Sequence, residues 1–172
     1  MVGLFTLCMR SARVALFLCL SFLAPFAMHC APANAGEVNT GLPVSTLTIA
    51  TRSGAKLAVT VEVAANGMDR EVGLMNRSSM GQDHGMIFVF PAAKPVMFWM
   101  KDTLLALDML FIDRDGRIIN IKHDAKPMDV SIIKSGGAVT HVLEVNAGYA
   151  ARHGVATGDH VSGPAMDFSA AD

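Results

Sequence analysis

Leu107-Asp108-Met109-Leu110-Phe111-Ile112-Asp113-Arg114-Asp115-Gly116-Arg117-Ile118-Ile119-Asn120-Ile121-Lys122-His123 reads as strand, tight turn, strand. The apolar run Leu107 to Ile112 is too short for a helix, and Asp113 to Gly116 supplies the acidic and glycine residues of a hairpin turn. The same signals recur on either side. Leu57, Val59, Val61 and Val63 alternate with Ala58, Thr60 and Glu62, and Ser45 to Ala50 pairs with them through Arg52-Ser53-Gly54. Downstream come Met86 to Phe90 and Val96 to Met100, set apart by Pro91 and Pro95, then Val139 to Val145 after Ser135-Gly136-Gly137, and a short strand at His160 to Ser162. One helix interrupts the strands. Asn66 is a good N-cap that Asp69 can answer, and Met68, Val72 and Met75 repeat at helical spacing, with an end near Asn76. The pattern predicts a mostly β chain, an antiparallel sandwich or barrel with one short helix.

The N-terminus carries an address. Arg10 and Arg13 precede an apolar run from Val14 to Phe26, and Ala33-Asn34-Ala35 fits the small-x-small rule for cleavage before Gly36. Residues 1–35 therefore read as a secretory signal, 36–43 as a lead-in, 44–163 as a β domain and 164–172 as a flexible tail, in a periplasmic or secreted protein. All three cysteines (Cys8, Cys19, Cys30) fall inside the signal, so thiol catalysis and disulfides are excluded from the processed chain. Residues 36–172 carry 12 basic against 15 acidic residues, a formal charge of −3 with no basic run, which argues against nucleic acid as a partner. No membrane association is expected after signal cleavage, and the oligomeric state is left open.

Several motifs together carry a resemblance: Arg70-Glu71-Val72-Gly73-Leu74-Met75 with Arg77, Gly85-Met86-Ile87-Phe88-Val89-Phe90, and Phe98-Trp99-Met100-Lys101. Leu107-Asp108, Phe111-Ile112-Asp113, Val142-Leu143-Glu144, Gly148 and Gly158-Asp159 complete the set. From about Leu57 to Val161 the chain resembles the domain of unknown function 192 (DUF192) family. The resemblance implies a compact, mostly β fold with a short helix, and a function that the family name leaves open. Two positions depart from the family pattern: Asp102 stands where Asn is usual and Ala106 where Pro is usual. The first exchanges a donor-acceptor amide for an acceptor-only anion.

Among possible chemistries, Asp108 and Glu144 come first, because strand alternation gives each apolar neighbours and an isolated buried carboxylate is costly. Arg77, Trp99, Lys101, Asp102, Asp108 and Glu144 are the candidate ligand-binding residues of a binding or interaction module for a small ligand or an envelope partner. The structural alternative is a buried ion pair, for instance Lys101 with Asp108. A second function class is a hydrolase-like enzyme using the Asp108 and Glu144 carboxylates, which requires both to face one open cleft. A third is soft-metal binding by Met97, Met100, Met86 and His84, although strand alternation puts Met97 and Met100 on opposite faces. No histidine pair has metal-ligand spacing, and no metal or cofactor is expected. His141 alone falls on a buried face. Trp99 reads as a core aromatic, with an aromatic ligand floor as the alternative.

Overall fold

Strand alternation becomes a single curled sheet in the computed structural model, which describes residues 38–171; the expected signal segment lies outside them. In chain order the strands are β1 (Val44–Ala50), β2 (Lys56–Ala64), β3 (His84–Lys94), β4 (Met97–Phe98), β5 (Leu107–Ile112), β6 (Ile118–Ala125), β7 (Ile133–Lys134), β8 (Val139–Asn146) and β9 (His160–Ser162). Seven form one sheet in the order β6-β5-β8-β3-β2-β1-β9, and β4 pairs with β7 in a separate two-stranded flap. The chain is thus mostly β, a curled half-barrel. Its pairs are antiparallel except β2 with β3, which run parallel. The purely antiparallel expectation fails there because the connection carries a helix, α1 (Gly67–Val72), and a helical crossover returns the chain in the same direction.

Local chemistry explains the element ends. The Asn66 side chain accepts from the Asp69 N–H at 2.9 Å and donates to the Asp69 carboxylate at 2.6 Å, which starts α1. Gly73, at φ 49°, stops it after six residues, earlier than the apolar spacing predicts. The strand expected over Val96 to Met100 shrinks to β4, because the Met100 N–H turns away to the Asp129 carbonyl at 2.8 Å. Three short elements carry no clear sequence signal: β7, α2 (Tyr149–His153) and a 3₁₀ turn at Pro164–Asp167. The turn corrects the flexible tail: Ala165 is fully buried, and the Ala171 N–H reaches the Ala65 carbonyl at 2.8 Å.

Both faces of the sheet are covered. Leu47, Val61, Ile87, Leu110, Leu143 and Val161 fill the inner, concave side together with Tyr149 and Ala165. Met86, Phe88, Met109, Phe111 and Val142 cover the other side and meet Leu74, Val96 and Met100 from the connections. At one end the sheet edges meet. Arg117 bridges to His160, Ile118 N–H donates to Asp159 O at 2.9 Å, and Val161 N–H donates to Gly116 O at 2.7 Å.

Candidate functional site

Glu144 lies on β8, an interior strand between β5 and β3, with Met86 of β3 and Met109 of β5 directly opposite on either side. Its neighbours Leu143 and Val145 belong to the inner core, so Glu144 points to the outer face, toward the flap. It is 4% exposed, and its carboxyl has no hydrogen-bond or ion-pair partner among the described residues. Burial alone pushes its pKa from 4.5 up to about 8, so the group is mainly protonated at neutral pH and offers one O–H donor and an acceptor.

Above the carboxyl is a cavity of about 280 Å³. Its walls come from Phe88 and Phe90 of β3, Phe98 and Trp99 of the flap, the segment from Arg70 to Met75, and Thr103. The flap is held by one ring: Phe98 meets Phe88, Phe90 and Phe111 edge-on, with centroids 5.1, 6.4 and 6.1 Å away. Arg70 lines the cavity but is occupied. Its guanidinium donates to the carbonyls of Ala65 (2.7 Å), Val89 (3.0 Å) and Ala171 (3.2 Å). The site is therefore an aromatic slot with a neutral carboxylic acid at its floor.

Of the six candidate residues, the fold brings Trp99 and Glu144 to this cavity and sends the rest elsewhere. Trp99 is not a core aromatic: it is 46% exposed at the mouth, and its half-buried neighbour Phe98 packs against the core instead. Arg77 grips Glu62 with both terminal nitrogens and donates to the Asn39 carbonyl at 2.7 Å, tying the lead-in to β2. Lys101 is exposed, 3.7 Å from Asp102 and 5.7 Å above the Trp99 ring, so the expected Lys101–Asp108 pair does not form. Asp102 sits at φ 53°, a left-handed position that Asn and Asp tolerate better than other side chains. Backbone conformation accounts for that choice of residue types without a ligand. Ala106, where Pro is usual, accepts a bond from the Ala147 N–H at 2.9 Å, and a proline carbonyl would do the same.

Asp108 is the clearest correction. It is fully buried and accepts the Asp124 N–H at 2.9 Å and the Ala150 N–H at 3.0 Å. The second bond caps α2, whose own N-cap, Gly148, has no side chain to do so. Asp108 stands opposite Val145 and Glu144 opposite Met109, so the two carboxyls leave opposite faces of the sheet. No single cleft serves both, and the carboxylate-pair hydrolase loses its geometry. The imagined copper set is likewise scattered: Met97 is exposed on the flap, Met100 and Met86 are buried, and His84 is exposed at the start of β3. His141 does face the inner core, where burial lowers its pKa, and its Nδ1 lies 3.0 Å from the Thr140 hydroxyl. Sequence alone missed the aromatic walls and Thr103. The alternation of Phe88 and Phe90 was legible, but β7, which holds the flap over them, was not.

No curated protein gives a significant match. Among solved structures, a Sinorhizobium meliloti 1021 protein, provisionally described as a transcription regulator, is 44% identical, with a TM-score of 0.72 over 74% of this chain and 98% of its own. A protein of unknown function from Novosphingobium aromaticivorans DSM 12444 is 34% identical, with a TM-score of 0.69 over 76% of this chain and 94% of its own. The matching family model is DUF192, described as "Uncharacterized ACR", and it spans residues 48–163. The chain belongs to the DUF192 family.

Proposed function

We propose that this protein is an exported binding module whose cavity takes a small, flat, largely apolar molecule with one hydrogen-bond acceptor, met by the Glu144 O–H. The reading rests on one observation: each of the other charged candidates has a structural or surface partner, whereas the Glu144 carboxyl is buried at the cavity floor with none. A group kept neutral this way donates without the desolvation cost of an ion. Binding is favoured over catalysis because Asp108 faces away. Export is supported by the basic-then-apolar N-terminus and by the lack of cysteine after residue 35. The regulator description of the Sinorhizobium protein is not carried over, since residues 36–172 are net acidic and have no basic run.

The test uses acetanilide and benzamide, titrated against the fluorescence of the only tryptophan, Trp99. Saturable binding is expected at pH 6 and about tenfold weaker binding at pH 9, as the carboxyl loses its proton. Glu144→Gln keeps a donor that does not titrate and should bind equally at both values. Saturation independent of pH in the wild type, or no saturation at all, would overturn the reading.

A further inference from the structure

The flap has a second face. In its register Met97 stands opposite Lys134 and Phe98 opposite Ile133, which continues to Trp99 beside Ile132. Phe98 and Ile133 point into the outer core, so Met97, Trp99, Ile132 and Lys134 point outward. Two backbone bonds, Met100 N–H to Asp129 O at 2.8 Å and Met128 N–H to Thr103 O at 3.1 Å, bring Leu104, Met128 and Val130 alongside. Among the described residues, nine large hydrophobic side chains are exposed, and six of them belong to this surface; such clustering marks an interaction site.

Charge on this surface runs against the rest of the molecule. Five of the six lysines in the whole chain lie between residues 94 and 134: Lys94, Lys101, Lys122, Lys126 and Lys134. All five are exposed. Asp102, Asp124 and Asp129 offset them only in part, in a chain that is otherwise acidic. Lys101 lies over the Trp99 ring and Lys94 over the Phe90 ring, so ammonium groups stand beside aromatic rings.

We propose that this flap face docks on an anionic phospholipid surface, with Met97, Trp99, Leu104, Val130 and Ile132 entering the headgroup boundary and the lysines pairing with lipid phosphates. Apolar side chains ringed by lysine, with a tryptophan among them, match the chemistry of an interfacial anchor. No helix among the described residues is long and apolar enough to cross a membrane, so the contact is peripheral. This departs from the expectation of no membrane association after signal cleavage, because the gathering of lysines around the flap is not visible along the chain. It does not depend on Glu144, although Met97 and Trp99 also line the cavity mouth.

Residues 36–172 contain every described strand and both core clusters, and are the chain to test. It is mixed with vesicles of pure phosphatidylcholine and with vesicles containing about 30% phosphatidylglycerol, whose negative surface potential attracts basic side chains. The expected result is co-sedimentation and a blue shift of Trp99 fluorescence on the anionic vesicles only, weakening as salt is added. Ile132→Asp, and separately Lys122→Glu with Lys134→Glu, should each weaken binding at least tenfold while circular dichroism is unchanged. Equal binding to both vesicles, or none to either, would overturn the proposal. So would Ile132→Asp converting a dimer into a monomer, which assigns the face to a second copy of the chain.

Discussion

Asp108 and Glu144 are both buried carboxyl groups on adjacent strands, and their surroundings give them opposite behaviour. Asp108 accepts two backbone N–H groups, one at each carboxyl oxygen. Glu144 accepts nothing, and burial holds its pKa near 8 against 4.5 in the unfolded chain. The folded state therefore keeps a proton that the unfolded state loses as pH rises above about 4.5, so stability is greatest below that value and declines until about pH 8. The slope approaches about 1.4 kcal/mol per pH unit at its steepest. Urea unfolding across this range should show the decline in the wild type and a flatter profile in Glu144→Gln, with the variant the more stable at pH 8. Asp108→Asn should lose about 1–3 kcal/mol, since its new amide turns a donor toward a backbone N–H. A wild-type profile without the decline would mean that Glu144 is charged in the fold.

At the scale of elements, the flap depends on Phe98, because a two-stranded ribbon is marginal without packing beneath it. Phe98→Ala removes the ring that meets Phe88, Phe90 and Phe111 and should cost about 3–5 kcal/mol. Hydrogen exchange at Met100, whose N–H binds the Asp129 carbonyl, should accelerate more than exchange in β2 or β8. Uniform acceleration would show that the flap is no separate unit. Of the elements, β5, β8, β9 and the Asn66 cap were legible from the sequence, since alternation and capping act over a few residues. The pairing of β4 with β7 was not, because each strand is two residues long and they are 35 positions or more apart in the chain.

For the molecule as a whole, the decisive contact is the seam where β6 meets β9. Gly116 has φ 79°, and a Cβ added there would come within 2.5 Å of the Val161 carbonyl oxygen. Both the turn and the close approach require glycine. Gly116→Ala should destabilise the protein by more than the roughly 1 kcal/mol that the left-handed conformation alone costs, and amide exchange at Ile118 and Val161 should rise with it. A loss confined to about 1 kcal/mol with unchanged exchange would show that the seam does not hold the sheet closed. Asp159, buried at that end, accepts from the N–H groups of Arg52 and Ala156 and ties the β1–β2 turn to the same seam.

By itself the sequence determined the β class, most strand positions, the α1 cap and the short list of buried carboxyls, because these follow from alternation and from chemistry between near neighbours. Tertiary structure decided which carboxyl is free. Asp108 and Glu144 have similar apolar flanks, and only the register of β5 against β8, with α2 offering its N-terminus to one side, gave one of them partners and left the other bare. The same holds for the lysines: their number is written in the chain, but their gathering around the flap depends on pairings far apart in sequence.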